Sequence, residues 1–244
     1  MTGYEEDLAF IHDAGFGNFA LEAAPPLLRI LRTNGIRRGL VVDLGCGTGI
    51  WAQKLIEAGY SVLGIDISPA MIRRARRRAP KATFLTGSIF DFPVRECDAV
   101  TSIGEIVNYT FDPRNSKPEL SRLFRRIFRG LRPGGVFVFD FAEPPEHWHE
   151  MPQKSFHEGE DWAVLVERRH GKRRRILVRE ITAFRRVGKF FRRSDETHVL
   201  KLYDASELES ELAKIGFETH VRRAYGRMTL PPAHAAIVAR KPSA

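Results

Sequence analysis

The amino-acid sequence predicts an α/β fold built on a parallel sheet. Short apolar runs alternate along the first half of the chain with segments whose apolar residues recur at helical spacing. One apolar run, 40–44, is followed at once by three glycines at alternate positions and then by a helical pattern. Strands that alternate with helices pair in parallel through right-handed crossovers, so this order predicts a parallel sheet.

Local signals place the elements of this first part. Pro25 and Pro26 are expected near the start of a helix over 21–34, because proline is tolerated in the first helical turn. Ser68 and Pro69 predict a helix start, with serine as the cap and proline in the first turn. The remaining predicted elements are strands at 40–44, 61–65, about 82–86, about 98–103 and 136–141, and helices at about 49–58, 68–80 and 117–130.

The pattern changes after Glu143. Three β-rich runs, at 161–170, 174–187 and 189–202, are separated by turns near Gly171 and Gly188. This spacing predicts an antiparallel β-meander inserted before the last elements of the main sheet. Those last elements are a helix at 206–215 and strands near 217–223 and 234–240.

Composition and charge favour a globular intracellular protein. The 244 residues are enough for one α/β domain with an insertion, or for two small domains. Two cysteines are too few for a disulfide framework, and they lack metal-ligand spacing. No apolar run reaches about 18 residues, and the N-terminus lacks a signal-peptide pattern, so we expect a cytoplasmic protein without a membrane span. The net charge of +9 comes mainly from arginine, which is either a solvated surface or a site for an anionic partner.

The glycine motif is the most informative feature of the chain. It reads Asp43-Leu-Gly45-Cys-Gly47-Thr-Gly49, between an apolar run and a helical pattern. Glycine permits a sharp turn and a close approach of a ligand to the backbone, and the following helix start offers free N–H groups. Asp66 ends the next apolar run, where a carboxylate can accept hydrogen bonds from the hydroxyls of a ribose. This order of strand, glycine turn and helix start predicts a nucleotide-binding site. The glycines are spaced Gly-x-Gly-x-Gly, which differs from the Gly-x-Gly-x-x-Gly of dinucleotide-binding folds.

This combination resembles the class I S-adenosylmethionine-dependent methyltransferases over roughly 36–143 and 195–240. The Leu-Arg-Pro-Gly-Gly block at 131–135 and the strand up to Asp140 resemble the turn and fifth strand of that family. The stretch 196–217 is similar to small-molecule methyltransferases with a β-insertion, which include sugar N,N-dimethyltransferases and glycine N-methyltransferase-like enzymes.

The resemblance implies a Rossmann-like three-layer sandwich with a mostly parallel seven-stranded sheet, whose last strand is antiparallel, and an inserted antiparallel β-meander. It implies one methyltransferase domain over 1–244, with an N-terminal lid at 1–34 and a β-rich cap over the acceptor pocket at 145–203. The implied cofactor is S-adenosyl-L-methionine, and the implied product is S-adenosyl-L-homocysteine.

The resemblance also assigns cofactor-binding residues. Asp43 and the glycines would hold the methionine part of the cofactor, and Asp66 would hold the ribose. Ser88 stands where the family often has aspartate, and either Ser88 or the later Asp91 could contact the adenine amine. The full expected set is Asp43, Gly45, Gly47, Gly49, Asp66, Ile67, Met71, Ser88, Ile89 and Ile103.

Three residues are expected to act on the acceptor. Methyl transfer from a sulfonium needs mainly orientation, with a base where the acceptor must lose a proton. Glu105 follows the fourth strand, and His147 and His149 follow the fifth, on one side of the chain if that segment is extended. His198 and His234 are further candidate bases. We expect no metal ion.

Three functions remain open from the sequence. The first is methyl transfer to a nitrogen, oxygen or carbon atom of a small-molecule acceptor by a monomer or homodimer. The second is RNA methylation, which the basic charge favours. Against it, residues 103–106 read Ile-Gly-Glu-Ile rather than an Asn-Pro-Pro-Tyr-like tetrad. The third is a non-catalytic cofactor-binding protein, and the intact glycines and Asp66 argue against it.

Overall fold

The computed structural model describes residues 3–148 and 151–243. Six α-helices are present in these ranges: α1 (Glu6–Gly15), α2 (Asn18–Thr33), α3 (Ile50–Glu57), α4 (Pro69–Arg78), α5 (Lys117–Gly130) and α6 (Ala205–Ile215). The strands are β1 (Leu40–Leu44), β2 (Ser61–Asp66), β3 (Thr83–Thr86), β4 (Cys97–Ser102), β5 (Leu131–Ala142), β6 (Gln153–Gly159), β7 (Trp162–Gly171), β8 (Ile176–Val187), β9 (Phe190–Lys201), β10 (Glu218–Arg222), β11 (Ala224–Tyr225), β12 (Met228–Thr229) and β13 (His234–Arg240). None of the helices in the described ranges is long and apolar enough to cross a bilayer.

Seven strands form the main sheet in the order β10-β13-β5-β4-β1-β2-β3. The pairs among β1 to β5 are parallel, whereas β13 is antiparallel to both β5 and β10. The predicted Rossmann-like sheet with an antiparallel last strand is confirmed. Its strand order reverses at β1, so the carboxyl ends of β1 and β4 flank a crevice in which such folds bind ligands.

Alternate residues of the central strands pack against the two helical layers. Val42 and Val100 face a cluster that includes the apolar stripe of α5, with Leu123 and Phe124 fully buried. Val41 and its neighbours on the other face pack against α2, α3 and α4. Each strand is therefore covered on both sides, which explains its nearly continuous apolar sequence.

The insertion forms a separate antiparallel sheet, β6-β7-β8-β9, which we call the cap sheet. The sequence predicts three of its strands, and the structure adds β6, whose polar, exposed residues give no alternating signal. The cap sheet is tied to the segment after β4, because the N–H of Thr110 donates to the carbonyl of Val199 at 2.9 Å and Tyr109 pairs with Leu200.

The N-terminal helices differ from the sequence expectation. The helix expected to begin at residue 21 begins at Asn18, so Pro25 and Pro26 lie in its middle rather than near its start. Proline removes a helical hydrogen bond there. The buried face of α2, which includes Ala24 and Leu27, extends across the prolines, and its packing outweighs that loss.

Candidate functional site

The glycine turn after β1 combines tight packing with an opening. Gly45, Gly47 and Gly49 have φ values of 74°, 53° and 78°, a backbone region that favours glycine. A Cβ on Gly45 would lie 2.5 Å from Ile106, and one on Gly49 would lie 3.0 Å from Ala75. A Cβ on Gly47 would meet nothing within 4 Å. The outer two glycines therefore let the turn pack closely, and Gly47 opens the backbone to a cavity.

Asp66 fixes this turn to the end of β2. One carboxylate oxygen accepts the N–H of Gly47, and the other accepts the N–H of Ser68, each at 2.8 Å. Burial raises the pKa of Asp66 to about 6, despite these two donors. The carboxylate is thus held at the rim of the cavity in a defined orientation.

Asp43 lies deeper, at the end of β1. Its Oδ1 accepts a hydrogen bond from the hydroxyl of Thr101 at 2.8 Å, and the indole of Trp51 donates to that same hydroxyl at 3.1 Å. Burial raises the pKa of Asp43 to about 7. A cationic group arriving next to this carboxylate would favour its ionised form.

A cavity lies at the carboxyl ends of the central strands. All but one of the residues expected to bind the cofactor line it: Asp43, Gly45, Gly47, Asp66, Ile67, Met71, Ser88, Ile89 and Ile103. Gly49 lies beneath the turn instead, against Ala75. Asp91 is outside the cavity and pairs with Arg114. The structure therefore brings the expected residues together, and their contact with a cofactor stays a prediction.

An N-terminal segment, residues 3–5, crosses one side of the cavity, and we call it the N-terminal strap. The backbone N–H of Tyr4 donates to Glu196 of the cap sheet at 2.7 Å, and its carbonyl accepts the hydroxyl of Ser68 at 2.7 Å. His12 and Phe16 of the first helix and its following turn also line the cavity. The strap thus bridges the cap sheet and the rim at Ser68.

Glu105, an expected catalytic residue, lies at the centre of a buried polar cluster. Its carboxylate accepts the hydroxyl of Tyr109 at 3.0 Å and both terminal nitrogens of Arg179, one of them at 3.0 Å. The Nε2 of His234 lies 3.0 Å from its Oε2. The hydroxyls of Tyr109 and Tyr4 are 3.1 Å apart, which connects the cluster to the strap.

The charges in this cluster follow from its contacts. Burial raises the pKa of Glu105, but the charge and hydrogen bonds of Arg179 and His234 outweigh it and bring the pKa to about 2. Both nitrogens of His234 face acceptors, because Nδ1 lies 2.9 Å from the carbonyl of Pro232. Burial lowers the pKa of His234, but Glu105 raises it more, so the imidazolium is favoured. Glu105 is thus an anion held between the guanidinium of Arg179 and the imidazole of His234.

Asp140, at the end of β5, holds the loop that presents Glu105. Its Oδ1 accepts the N–H groups of Gly104 and Glu105, and its Oδ2 accepts the hydroxyl of Tyr225 at 2.9 Å. Gly104 and Glu105 both have positive φ, and a Cβ on Gly104 would meet nothing within 4 Å. The loop is therefore held in a left-handed turn whose backbone borders the cavity.

The histidines expected to act on the acceptor lie in different places. His147 is exposed in the segment after β5 and is not among the residues that line the cavity. His149 lies outside the described residues. His198 is buried, with its Nε2 2.9 Å from Glu196. Of the candidate bases in the described part of the chain, His234 is the one that contacts Glu105.

Arg179 is a site residue that the sequence interpretation missed. It stands in β8 between Leu177 and Ile181, which are both buried, and so it shares their inward face. A charged residue at an inward position of a strand needs a partner. That signal predicts a buried ion pair, but the sequence does not show that Glu105, 74 positions earlier, is the partner.

Comparison with known proteins agrees with this geometry. Residues 41–135, from β1 into β5, match the family model of a methyltransferase domain. Together with the strand order and the glycine turn, this match supports a class I S-adenosylmethionine-dependent methyltransferase. The protein is a methyltransferase, and S-adenosylmethionine is its cofactor.

Two relatives and one solved structure show how the likeness extends. YqeM of Bacillus subtilis, whose name describes it as a methyltransferase, is 28% identical over 75% of each chain. The dTDP-3-amino-3,4,6-trideoxy-alpha-D-glucopyranose N,N-dimethyltransferase of Streptomyces venezuelae is 25% identical over 87% of this chain and 91% of its own. The sugar N-methyltransferase KedS8 of a Streptoalloteichus species has the same fold, with a TM-score of 0.80, 22% identity, and coverage of 100% of this chain and 96% of its own. The shared fold includes the region of the cap sheet.

Proposed function

We propose that the protein transfers the methyl group of S-adenosylmethionine to an amine nitrogen of a small-molecule acceptor. The observation that carries the proposal is the buried Glu105 carboxylate, which Arg179 and His234 hold as an anion beside the cofactor cavity. An anion at this point stabilises the N–H bonds of an amine as positive charge develops on nitrogen.

The cavity fits the cofactor on chemical grounds. Gly47 and Gly104 each leave open the space that a Cβ would fill, so a ligand can approach the backbone there. Asp66 would hold the ribose hydroxyls, and Asp43 would meet the ammonium of the methionine part. Ile67 and Met71 would flank the adenine. When bound, the cofactor supplies an electrophilic methyl group on a sulfonium with a good leaving group.

A small acceptor fits the enclosure of the site. The cap sheet covers Glu105 through Arg179, and the strap reaches Tyr109 through the hydroxyl of Tyr4. The relatives with matching coverage include an enzyme named as an amino-sugar N,N-dimethyltransferase. The enclosure supports a small acceptor under the cap sheet, and the named relative supports an amine. In this proposal, the cap at 145–203 and the lid at 1–34 are parts of one methyltransferase domain.

The protein side of the reaction is mainly positioning. Glu105 holds Tyr109 and Arg179 in place through its hydrogen bonds, and its negative charge stabilises the positive charge that develops on the amine nitrogen. Its low pKa keeps it from retaining the proton. Tyr109 and Tyr4 stay protonated, since burial raises the pKa of Tyr4 to about 12 and that of Tyr109 well above its usual value. Their rings and the strap keep water from the reacting nitrogen.

The experiment is a methylation assay with radiolabelled S-adenosylmethionine. Its substrates are a panel of small amines, matched alcohols, and total transfer RNA. We expect label in one or more amines, and we expect Glu105→Gln to lower kcat about a hundredfold, the scale of one positioned polar group. The alternative function, RNA methylation, would instead place the label in RNA. Label in RNA alone, or an unchanged kcat for Glu105→Gln, contradicts the proposal.

A further inference from the structure

The inner face of the cap sheet carries a row of polar side chains. Successive cross-strand neighbours in β6, β7, β8 and β9 form this row, which consists of Gln153, Arg168, Arg179 and His198. Residues two apart in a strand share a face, so Arg168 is on the same side of β7 as the buried Val164. The row therefore faces the body of the protein.

The polar row lies between two apolar clusters of the same face. On one side, Val164 and Ile181 pack against α1. On the other side, Leu177 and Leu200 pack around Tyr109. The row is thus a polar strip at the level of Glu105, to which Arg179 is bound.

Among the residues that the structure describes, Arg168 is a cation of this strip without an ion pair of its own. Within the described ranges, it forms neither a hydrogen bond nor an ion pair, although it is half-buried. The carboxylate of Glu105 is already bound by Arg179 and His234, and Glu196 accepts from His198 or the strap. Burial lowers the pKa of Arg168 and the neighbouring charge of Arg179 lowers it further, whereas the charge of Glu105 raises it. A cation kept in such a place costs free energy unless an anion joins it.

Two arginines share the single carboxylate of Glu105. The charge of Glu105 acts on both Arg168 and Arg179, and Arg179 is the one that forms the ion pair. His234 lies against the same carboxylate. One anionic group from a ligand would give Arg168 a partner of its own.

We propose that Arg168 binds an anionic oxygen group, a carboxylate or a phosphate, of the same acceptor whose amine meets Glu105. This rests on the proposed function. The guanidinium presents paired N–H donors that match both kinds of oxygen group. The row runs from the buried His198 to the exposed Gln153, at the open edge of the cap sheet. In this proposal, the acceptor enters along the polar row with its amine first, and its anionic group stays at Arg168.

The first test compares amines that differ in one anionic group. Each set contains an uncharged amine, its carboxylate analogue and its phosphate analogue, and the enzymes are wild type, Arg168→Gln and Arg169→Gln. Arg169 is the matched control, because it is exposed and pairs with Glu167 on the outer face. We expect wild type to prefer an anionic member, and Arg168→Gln to raise its KM about tenfold or more, the worth of one charged hydrogen bond. Cofactor affinity should not change. Equal use of the uncharged amine, or an unchanged KM in Arg168→Gln, overturns the proposal.

The second test does not depend on the methylation reaction. The midpoint of thermal unfolding is measured for protein with S-adenosylhomocysteine, alone, with inorganic pyrophosphate and with acetate. An anion that binds the folded protein raises the midpoint. We expect a rise with one of the two anions in wild type and Arg169→Gln, a smaller rise in Arg168→Lys, and none in Arg168→Gln; the anion that acts identifies phosphate or carboxylate.

The two tests can fail separately. No rise in wild type, or an equal rise in Arg168→Gln, overturns the anion subsite whatever the amines do. A rise that depends on Arg168, together with no methylation of any amine, supports the subsite and contradicts the proposed amine methylation.

Discussion

At the scale of single residues, Asp66 connects the glycine motif to the cavity. Its carboxylate is bound by the N–H groups of Gly47 and Ser68, so it holds the glycine turn as well as the rim of the cavity. The hydroxyls of a ribose at this carboxylate would donate to an acceptor whose orientation is already fixed. The role that we propose for Asp66 therefore combines a structural and a binding contribution, which a substitution can separate.

Asp66→Ala should abolish measurable cofactor binding while the fold is kept. The variant loses the charged acceptor for the ribose, worth about 1.5–3 kcal/mol, and loosens the turn at Gly47. Isothermal titration calorimetry with S-adenosylhomocysteine measures the affinity, and circular dichroism checks the fold. Unchanged affinity would refute the assignment of Asp66 to the ribose.

His234 predicts a pH dependence of stability. Its pKa is raised in the folded protein, because Glu105 outweighs the effect of burial. A raised histidine pKa adds stability that is complete below the unfolded pKa of about 6.5 and is lost as the pH rises through the folded pKa. The free energy of unfolding should therefore fall from pH 6.5 upward, as measured by urea denaturation.

His234→Asn is the control for that pH dependence. The variant cannot take up a proton at this position, so its fall in stability over the same pH range should be smaller. Equal slopes in the two proteins would show that another group is responsible.

The clustering of the glycine-turn residues around a cavity could be predicted from the sequence, and the partners of Glu105 could not, for a physical reason. Asp43, Gly45 and Gly47 are close in the chain, and their order reflects one local turn between a strand and a helix. Glu105 and Arg179 meet only because the cap sheet folds back over β4, and nothing local in either segment encodes that contact.

At the scale of elements, the first helix explains part of the basic charge. Three acidic residues of α1 pair with arginines on both sides of it: Glu6 with Arg73 of α4, Asp13 with Arg78 of α4, and Asp7 with Arg185 and Arg192 of the cap sheet. The sequence alone leaves two interpretations of these arginine runs, a solvated surface or a site for an anionic partner. The structure shows a third role for these arginines, which form ion pairs that hold α1 between α4 and the cap sheet.

Glu196→Ala should speed release of the cofactor. Glu196 accepts the N–H groups of both Tyr4 and Glu5, at 2.7 and 2.8 Å, and so anchors the strap to the cap sheet. Loss of this charged acceptor should raise the dissociation rate of S-adenosylhomocysteine about tenfold, as measured by stopped-flow fluorescence. The control is Asp195→Ala, an exposed neighbour that binds Arg193 and Thr182 instead. The same rate in Glu196→Ala and wild type would contradict a lid function for the strap.

The elements of the main sheet follow from the sequence better than those of the cap sheet and the N-terminus. Strands β1 and β2 are mostly apolar, because both of their faces are covered, and their carboxylates, Asp43 and Asp66, lie at their carboxyl ends. Strand β6 is polar and exposed, so its residues carry no strand signal, and its pairing with β7 determines its structure. Helix α2 continues across Pro25 and Pro26 because its buried face does, which single-residue preferences do not reveal.

At the scale of the whole molecule, two sheets meet around one site. The main sheet supplies Asp43, Asp66 and Glu105 from its strand ends, and the cap sheet supplies Arg179 from above. The match to a methyltransferase domain and the fold shared with solved structures support the cofactor site at the main sheet. The proposal for the acceptor rests on the buried polar cluster between the main sheet and the cap sheet.

The cradle formed by the glycine turn and Asp66 is the central claim, and a calorimetric titration of the full chain with two ligands tests it most directly. We predict that S-adenosylhomocysteine binds at one site per chain with favourable enthalpy, and that NADH gives only heats of dilution. Binding of NADH in the absence of any binding of S-adenosylhomocysteine would contradict the account.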